Sequence, residues 1–346
     1  MSVLPSILFT ADLHLTDKPE DDHRFGLFPW LAKQAKTYRA QMIVLGGDIT
    51  NAKDRHPSKL VNRFVNEVAK LGQQAPVVIL RGNHDYIDED EPFFGFVNEI
   101  HNLTFLTKPM ELDGRLFLPN TRNYLEAWKG INFKKLDLIF CHQTFDGAKS
   151  ETGFRLEGIP PSFFAKIAAH VYSGDVHAQQ TIGENITYVG APYRIRFGDE
   201  FDPRVLVIDD RGQTKDLHFI TKSKHVIDLQ GKDFVQGFQK WWASAAASEG
   251  DQIKVRVHLK RNQFHEWKSI RAGVVRLAES RNVELFGPEM IAAPDMTPEK
   301  ANEGSPGSSG VAIRPSEALA AYAKSKKLSP VLLKAGQALL KGEGND

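Results

Sequence analysis

Five short apolar runs in this chain each end in residues that can bind a metal ion or move a proton. They are SILFTADLH (6–14), MIVLGGD (42–48), PVVILRGNHD (76–85), LDLIFCH (136–142) and HVYSGDVH (170–177). Runs rich in branched and aromatic residues that close on Asp, Asn or His read as buried strands whose last residues emerge at an edge. Between the runs lie helical patterns. Leu27, Leu31, Ala35 and Tyr38 share one helix face. Leu60, Phe64, Val68 and Leu71 share another, opened by Pro57 and closed by Gly72. Strand and helix alternate, so the chain is α/β with at least a partly parallel sheet.

The spacing limits where the polar ends can go. Asp12 and Asp48 are 36 residues apart, Asp48 and Asn83 35, and His142 and Asp175 33. One strand–helix–strand unit takes roughly 30 residues or more. Successive polar ends therefore return to the same edge, where open α/β sheets place their ligand sites. Asp12, His14, Asp48, Asn83, His84, Asp85, His142, Asp175 and His177 are expected to converge there. Buried carboxylates and imidazoles without partners are costly, and a metal ion supplies the partner. Oxygen and nitrogen donors without thiolate point to Mn²⁺, Mg²⁺, Fe or Zn²⁺. The number of donors suits two ions sharing a carboxylate, the arrangement used for in-line attack on phosphate esters.

These motifs, DLH, GGD, GNHD, CH and GDVH in that order, resemble those of the calcineurin-like metallophosphoesterases. The resemblance implies a sandwich of two β-sheets flanked by helices. It also implies a first ion held by Asp12, His14, Asp48 and His177. Asp48 would bridge to a second ion, completed by Asn83, His142 and Asp175. His84 would act on the phosphate, with Asp85 orienting its ring. Asp175 stands where the family carries histidine.

The stretch 174–209, with YVGAPYR, FGDE and VLVID, is similar to SbcD-type nucleases, the nuclease subunits of an SMC-like double-strand-break repair complex. GDITNAKDRHPS (47–58) is similar to them too, with Asn51, a candidate substrate contact, where many members have His or Asp. The resemblance implies a two-metal DNA nuclease, most readily Mn²⁺-dependent. It would combine 3′–5′ exonuclease with single-strand endonuclease activity. It would act as a homodimer with an SMC-like ATPase of SbcC type. Alternatives are a small-substrate phosphodiesterase or phosphatase, and a scaffold subunit with a decayed metal site.

The remainder divides by composition. Residues 1–222 read as the nuclease domain, ending in a hairpin near 205–220, and 223–295 as a small α+β capping domain. Its stretch 251–285 carries eight Lys/Arg against four Asp/Glu. Trp241 and Trp242 are expected between this module and the first. PEKANEGSPGSSG marks a flexible linker (296–312), followed by a helical tail (313–346) that would dock on the ATPase. The net charge of +1 excludes a uniformly basic coat, so DNA would meet local patches. One cysteine, Cys141, suits a reducing compartment. The N-terminus reads as a buried strand rather than a signal peptide, and no run is long enough to span a membrane. A cytoplasmic protein, associated with the nucleoid or with a phage-infected host, is expected.

Overall fold

The computed structural model describes residues 6–292 apart from 166, 168, 210 and 246. The expected linker at 296–312 and the helical docking tail at 313–346 lie outside the described residues. The chain runs through β1 (Ser6–Thr10), α1 (Leu27–Tyr38), β2 (Ala40–Leu45), α2 (Ser58–Gly72), β3 (Val77–Leu80) and β4 (Leu103–Leu106). It continues with β5 (Met110–Leu112), β6 (Arg115–Leu118), the single turn α3 (Tyr124–Ala127), β7 (Leu138–His142) and β8 (His170–Gly174). Then come β9 (Gln180–Ile182), β10 (Ile186–Tyr188), β11 (Val205–Asp209) and β12 (Thr214–Leu217).

These strands form two six-stranded sheets, ordered β12-β11-β1-β2-β3-β4 and β5-β6-β7-β8-β10-β9. The four strands β1 to β4 pair in parallel, as the strand–helix rhythm requires. β11 and β12 close the first sheet as an antiparallel hairpin. The rhythm leaves open whether the polar ends share one sheet. The structure divides them, with β1, β2 and β3 in the first sheet and β7 and β8 in the second.

Alternation along the strands explains the sandwich. Phe9, Val44, Val78 and Leu80 face Phe117, Phe140 and Tyr172 across the interior. Leu8, Ile43, Leu45, Val77 and Ile79 turn the other way, onto α1 and α2 through Leu27, Leu31, Phe64 and Val68. The Phe9 ring meets Phe140 edge-on at 5.3 Å and Tyr172 at 6.3 Å, so the two sheets grip each other at one aromatic cluster. Cys141 is fully buried, and burial pushes its thiol up to about 12, as befits a packing residue.

A third sheet, β13 (Lys224–Gln230), β14 (Gln252–Leu259) and β15 (Glu284–Ala292), has its own core. Its connections are α4 (Phe234–Ser244) and α5 (Trp267–Ser280). Both strand pairings are parallel. The expected α+β module is therefore a βαβαβ unit. Ile253, Val255, Val257 and Leu259 point one face of β14 at Phe238 of α4 and Ile270 and Val274 of α5. The helices lie on one side of the sheet. Trp241 sits in this core beside Phe238, and Trp242 lies beneath Arg281. The tandem tryptophans are thus internal to the module and do not bridge to the first domain. That junction is polar and buried. Lys224 Nζ donates to Asp21 Oδ1 at 2.9 Å, and Gln252 Nε2 to the Glu20 carbonyl at 2.6 Å. Phe197 and Phe286 add an aromatic contact at 5.0 Å. No described helix is long and apolar enough to cross a membrane.

Phe9→Ala is expected to lower unfolding free energy by about 3–5 kcal/mol in urea titrations. A loss below about 1 kcal/mol would mean that the sheets are not held together at this cluster.

Candidate metal centre

The polar ends meet where the C-terminal ends of the two sheets adjoin. Asp12, His14 and His177 place one donor atom each within 4.8 Å of one another, and so do Asp12, Asp48 and His142. All five side chains are buried. Asp48 spans the two groups, with Oδ2 3.6 Å from His14 Nε2 and Oδ1 3.4 Å from His142 Nε2. A carboxylate turned this way is placed to bridge two ions. The backbone helps to aim the set. Asp12, His14, Asp48 and Asp175 all adopt left-handed backbone, with φ of 58°, 42°, 54° and 86°. Such conformations are costly outside glycine and concentrate at functional sites.

Each ring is held from behind. His142 Nδ1 is 2.6 Å from the Gly46 carbonyl, and His14 Nδ1 is 2.6 Å from Asn51 Oδ1. His177 Nδ1 is 2.5 Å from Glu151 Oε1. The carbonyl and amide oxygens make the rear nitrogens of His142 and His14 donors, the carboxylate of Glu151 lies in ion-pair contact behind His177, and the Nε2 atoms face inward.

The inward atoms fit a pair of cations. His14 Nε2 and His177 Nε2 are 3.0 Å apart, two lone pairs in apposition if both rings are neutral. Asn83 Oδ1 sits 3.1 Å from His142 Nε2 and faces the Asp48 carboxylate. Turned over, the amide nitrogen would donate to Asp48 Oδ1 at 2.9 Å, so the oxygen-inward orientation makes sense as a ligand. Asp12 Oδ2 is buried and has no hydrogen-bond partner among the described residues. Burial raises Asp12 and drives Asp48 well above the usual carboxylate range. Burial also opposes the charged form of His142, yet Asp48, Asp12 and Asp175 hold it up at about 9. The carboxylates are short of positive charge, which divalent ions supply.

Asp175 stands at the margin of the second group. Its Oδ1 is 3.7 Å from His142 Nε2, while Thr144 Oγ1 donates to Oδ2. Its own N–H donates to Asp12 Oδ1 at 3.0 Å. One oxygen is therefore committed to Thr144 and the other is directed at the site.

His84 is half-buried. Its ring centroid is 5.1 Å from that of His14, and its Nδ1 has no partner among the described residues. Asp85 does not orient it. The Asp85 carboxylate is fully buried and accepts from the backbone N–H groups of Asp48 (2.9 Å), Ile49 (2.9 Å) and Gly82 (2.7 Å). Asp85 is thus a clamp between two loops. Asn51 likewise departs from expectation, because its side-chain oxygen orients His14 instead of standing free for substrate.

Close approach explains the glycines better than turn geometry does. A Cβ on Gly82 would lie 2.3 Å from Asp48 N and Oδ1. Gly47 needs both space and freedom, with φ of 100° and His142 Nδ1 2.3 Å from its missing Cβ.

Glu151 escaped the sequence reading. It lies in an irregular stretch, without a motif, 26 residues before its partner. Its only signal is chemical, since a ligand histidine needs an acceptor behind it. Contact with His177 holds Glu151 down at about 2. Glu151→Gln is expected to weaken Mn²⁺ binding about 10–100-fold by calorimetry, with the fold intact. Unchanged affinity would remove Glu151 from the centre.

Comparison with known proteins agrees with this geometry. Residues 5–166 match the calcineurin-like phosphoesterase family. The chain is 26% identical over 222 residues to a protein named as phosphoesterase 244L of Invertebrate iridescent virus 6, covering 58% of this chain and 75% of that one. It is 28% identical over 221 residues to exonuclease subunit 1 of Enterobacteria phage T4, covering 57% and 62% respectively. The chain therefore spans less than two thirds of the phage protein. Among solved structures, the Pseudomonas putida nuclease MPE aligns with 61% of this chain and 87% of its own at 15% identity. Its TM-score is 0.30, too slight a likeness to argue from. The first domain, with ligand candidates closing strands of two packed sheets, thus matches the calcineurin-like phosphoesterases over residues 5–166.

Proposed function

We propose that the chain is a metal-dependent DNA nuclease, cleaving from a 3′ end toward 5′ and also cutting single strands internally. In this reading it works as a homodimer in recombination, repair or replication, with an SMC-like ATPase bound through residues 313–346. One observation carries the phosphoesterase chemistry. Asp12, His14, Asp48, Asn83, His142 and His177 converge with His84 beside them. The nucleic-acid substrate is supported by YVGAPYR, FGDE and VLVID (188–209) and by the name of the phage T4 relative.

Asp12, His14, Asp48 and His177 would hold one ion, and Asp48, Asn83, His142 and Asp175 the other. Two divalent ions, Mn²⁺ in this proposal, would neutralise the phosphate oxygens and acidify the attacking water. The chain's own residues supply the rest. Asn51, Gly46 and Glu151 fix the ring orientations. His84, half-buried with its ring 5.1 Å from that of His14, is placed beside the site to hand a proton to the departing oxygen.

The test uses the full chain with Mn²⁺ on 3′-labelled duplex DNA, circular single-stranded DNA and an aryl phosphodiester. Label release and circle cutting are expected, both abolished by chelation. His84→Ala should lower kcat about 100-fold or more while retaining the metal. Aryl ester turnover without DNA cleavage, with the ATPase present, would refute the nuclease assignment and leave the phosphoesterase standing.

A further inference from the structure

The irregular stretch that carries Glu151 is folded back on itself. Lys149 and Arg155 bridge in antiparallel register. The Leu156 N–H donates to the Ala148 carbonyl at 2.7 Å and the Ser150 N–H to the Phe154 carbonyl at 2.8 Å. The Phe154 N–H returns to Ser150 Oγ at 3.2 Å, and Gly153 makes the turn with φ of 82°. This ribbon is anchored twice on the segment that follows β8. Glu151 Oε1 meets His177 Nδ1. Gln180 clasps the Lys149 backbone, accepting from its N–H and donating to its carbonyl, each at 2.8 Å.

What the anchored ribbon displays is Phe154, 74% exposed. A single exposed apolar side chain is ordinary on a protein surface. This one differs in its place and its backbone. Three residues span at most about 10 Å, so Phe154 stands close to Glu151 and hence to the candidate ligand His177. Its backbone is already fixed, which spares the cost of ordering a loose loop on binding. Lys149 and Arg155 flank it, both exposed and neither in an ion pair with a described residue. The acids of the ribbon do not cancel them at the tip. Glu151 is committed to His177, Asp146 accepts from the Gly158 N–H at 2.7 Å, and Glu157 lies at the base. An aromatic face bracketed by cations suits a strand that carries bases and phosphates in alternation.

We propose that Phe154 is a platform on which one unpaired base of a DNA strand stacks, in a nucleotide close to the bond being cut. Lys149 and Arg155 meet the flanking phosphates. The assignment rests on the nuclease reading and adds to it, because the chain then holds a base as well as the backbone, and single-stranded or frayed ends are its preferred substrates.

The test places a reporter at the platform. Phe154→Trp in the full chain, labelled with 5-fluorotryptophan, adds one fluorine resonance to those of the five native tryptophans. With Mg²⁺ and a single-stranded phosphorothioate oligonucleotide that resists cutting, that resonance should shift saturably. An abasic oligomer of equal length should bind more weakly and leave it in place. Phe154→Ala should weaken oligonucleotide binding about 5–100-fold by fluorescence anisotropy, and Phe154→Tyr should restore it. The Mn²⁺ affinity of Phe154→Ala should match that of the unaltered chain, because Glu151 stays against His177. A parallel loss of Mn²⁺ affinity would make Phe154 a structural residue and overturn the proposal. It is equally overturned if the oligonucleotide binds while the resonance stays still, if the abasic oligomer moves it as far, or if Phe154→Ala binds as tightly. A chain that hydrolyses an aryl phosphodiester but binds no oligonucleotide loses the nuclease reading and this proposal together, so the two failures are told apart.

Discussion

The centre depends on a carboxylate that touches no ion. Asp85 gathers three backbone N–H groups from two loops that follow different strands, fixing GGD against GNHD. The tie is returned in the other direction, because His84 N–H donates to Asp48 Oδ1 at 2.8 Å. The two loops thus close a ring of charge-assisted hydrogen bonds around the candidate bridging carboxylate. Burial raises Asp85, and the three N–H groups pull the other way by favouring its charged form. Without that ring, Asp48 could relax from its left-handed backbone and turn its oxygens away from the histidines.

The same economy governs the other candidate ligands. Asp12 and His14 are two residues apart, and an extended strand would give both side chains the same general direction without closing them on one point. The left-handed turns bend the chain after β1 so that both side chains reach a compact volume. Backbone contacts hold that bend. Asp12 N–H donates to the Gly47 carbonyl at 3.0 Å and His14 N–H to the Asp48 carbonyl at 2.9 Å. Geometry that would be unfavourable in isolation is therefore over-determined by its neighbours.

Much of this was legible in the sequence, for physical reasons. A buried strand must be apolar, so an Asp or His at its end stands out, and the length of a βαβ unit sets how far apart such ends fall. That logic located Asp12, Asp48, Asn83, His142 and His177. It could not see what depends on backbone donors or on partners in irregular segments. Asp85 reads as a catalytic neighbour until its three N–H partners are known. Glu151 reads as a surface acid until His177 is placed beside it. Asn51 looks like a substrate contact because its proximity to His14 arises from folding. The parallel order of β13, β14 and β15 is equally hidden, since alternation along a strand says which face is buried but not which way its neighbour runs.

The junction between the first domain and the βαβαβ module carries a mechanical consequence. Arg24 is 1% exposed, with Nη2 2.7 Å from Asp21 Oδ1 and Nη1 2.5 Å from the His14 carbonyl. Asp21 in turn holds Lys224 at the start of β13. Three charge-assisted links therefore stand in series between the module and the backbone of one candidate ligand, with no comparable path to Asn83 or His142 among the described contacts. A load applied to the module is felt first at His14, and only through its N–H bond to the Asp48 carbonyl does it pass to the group around His142. The two halves of the centre are chemically alike but mechanically unequal.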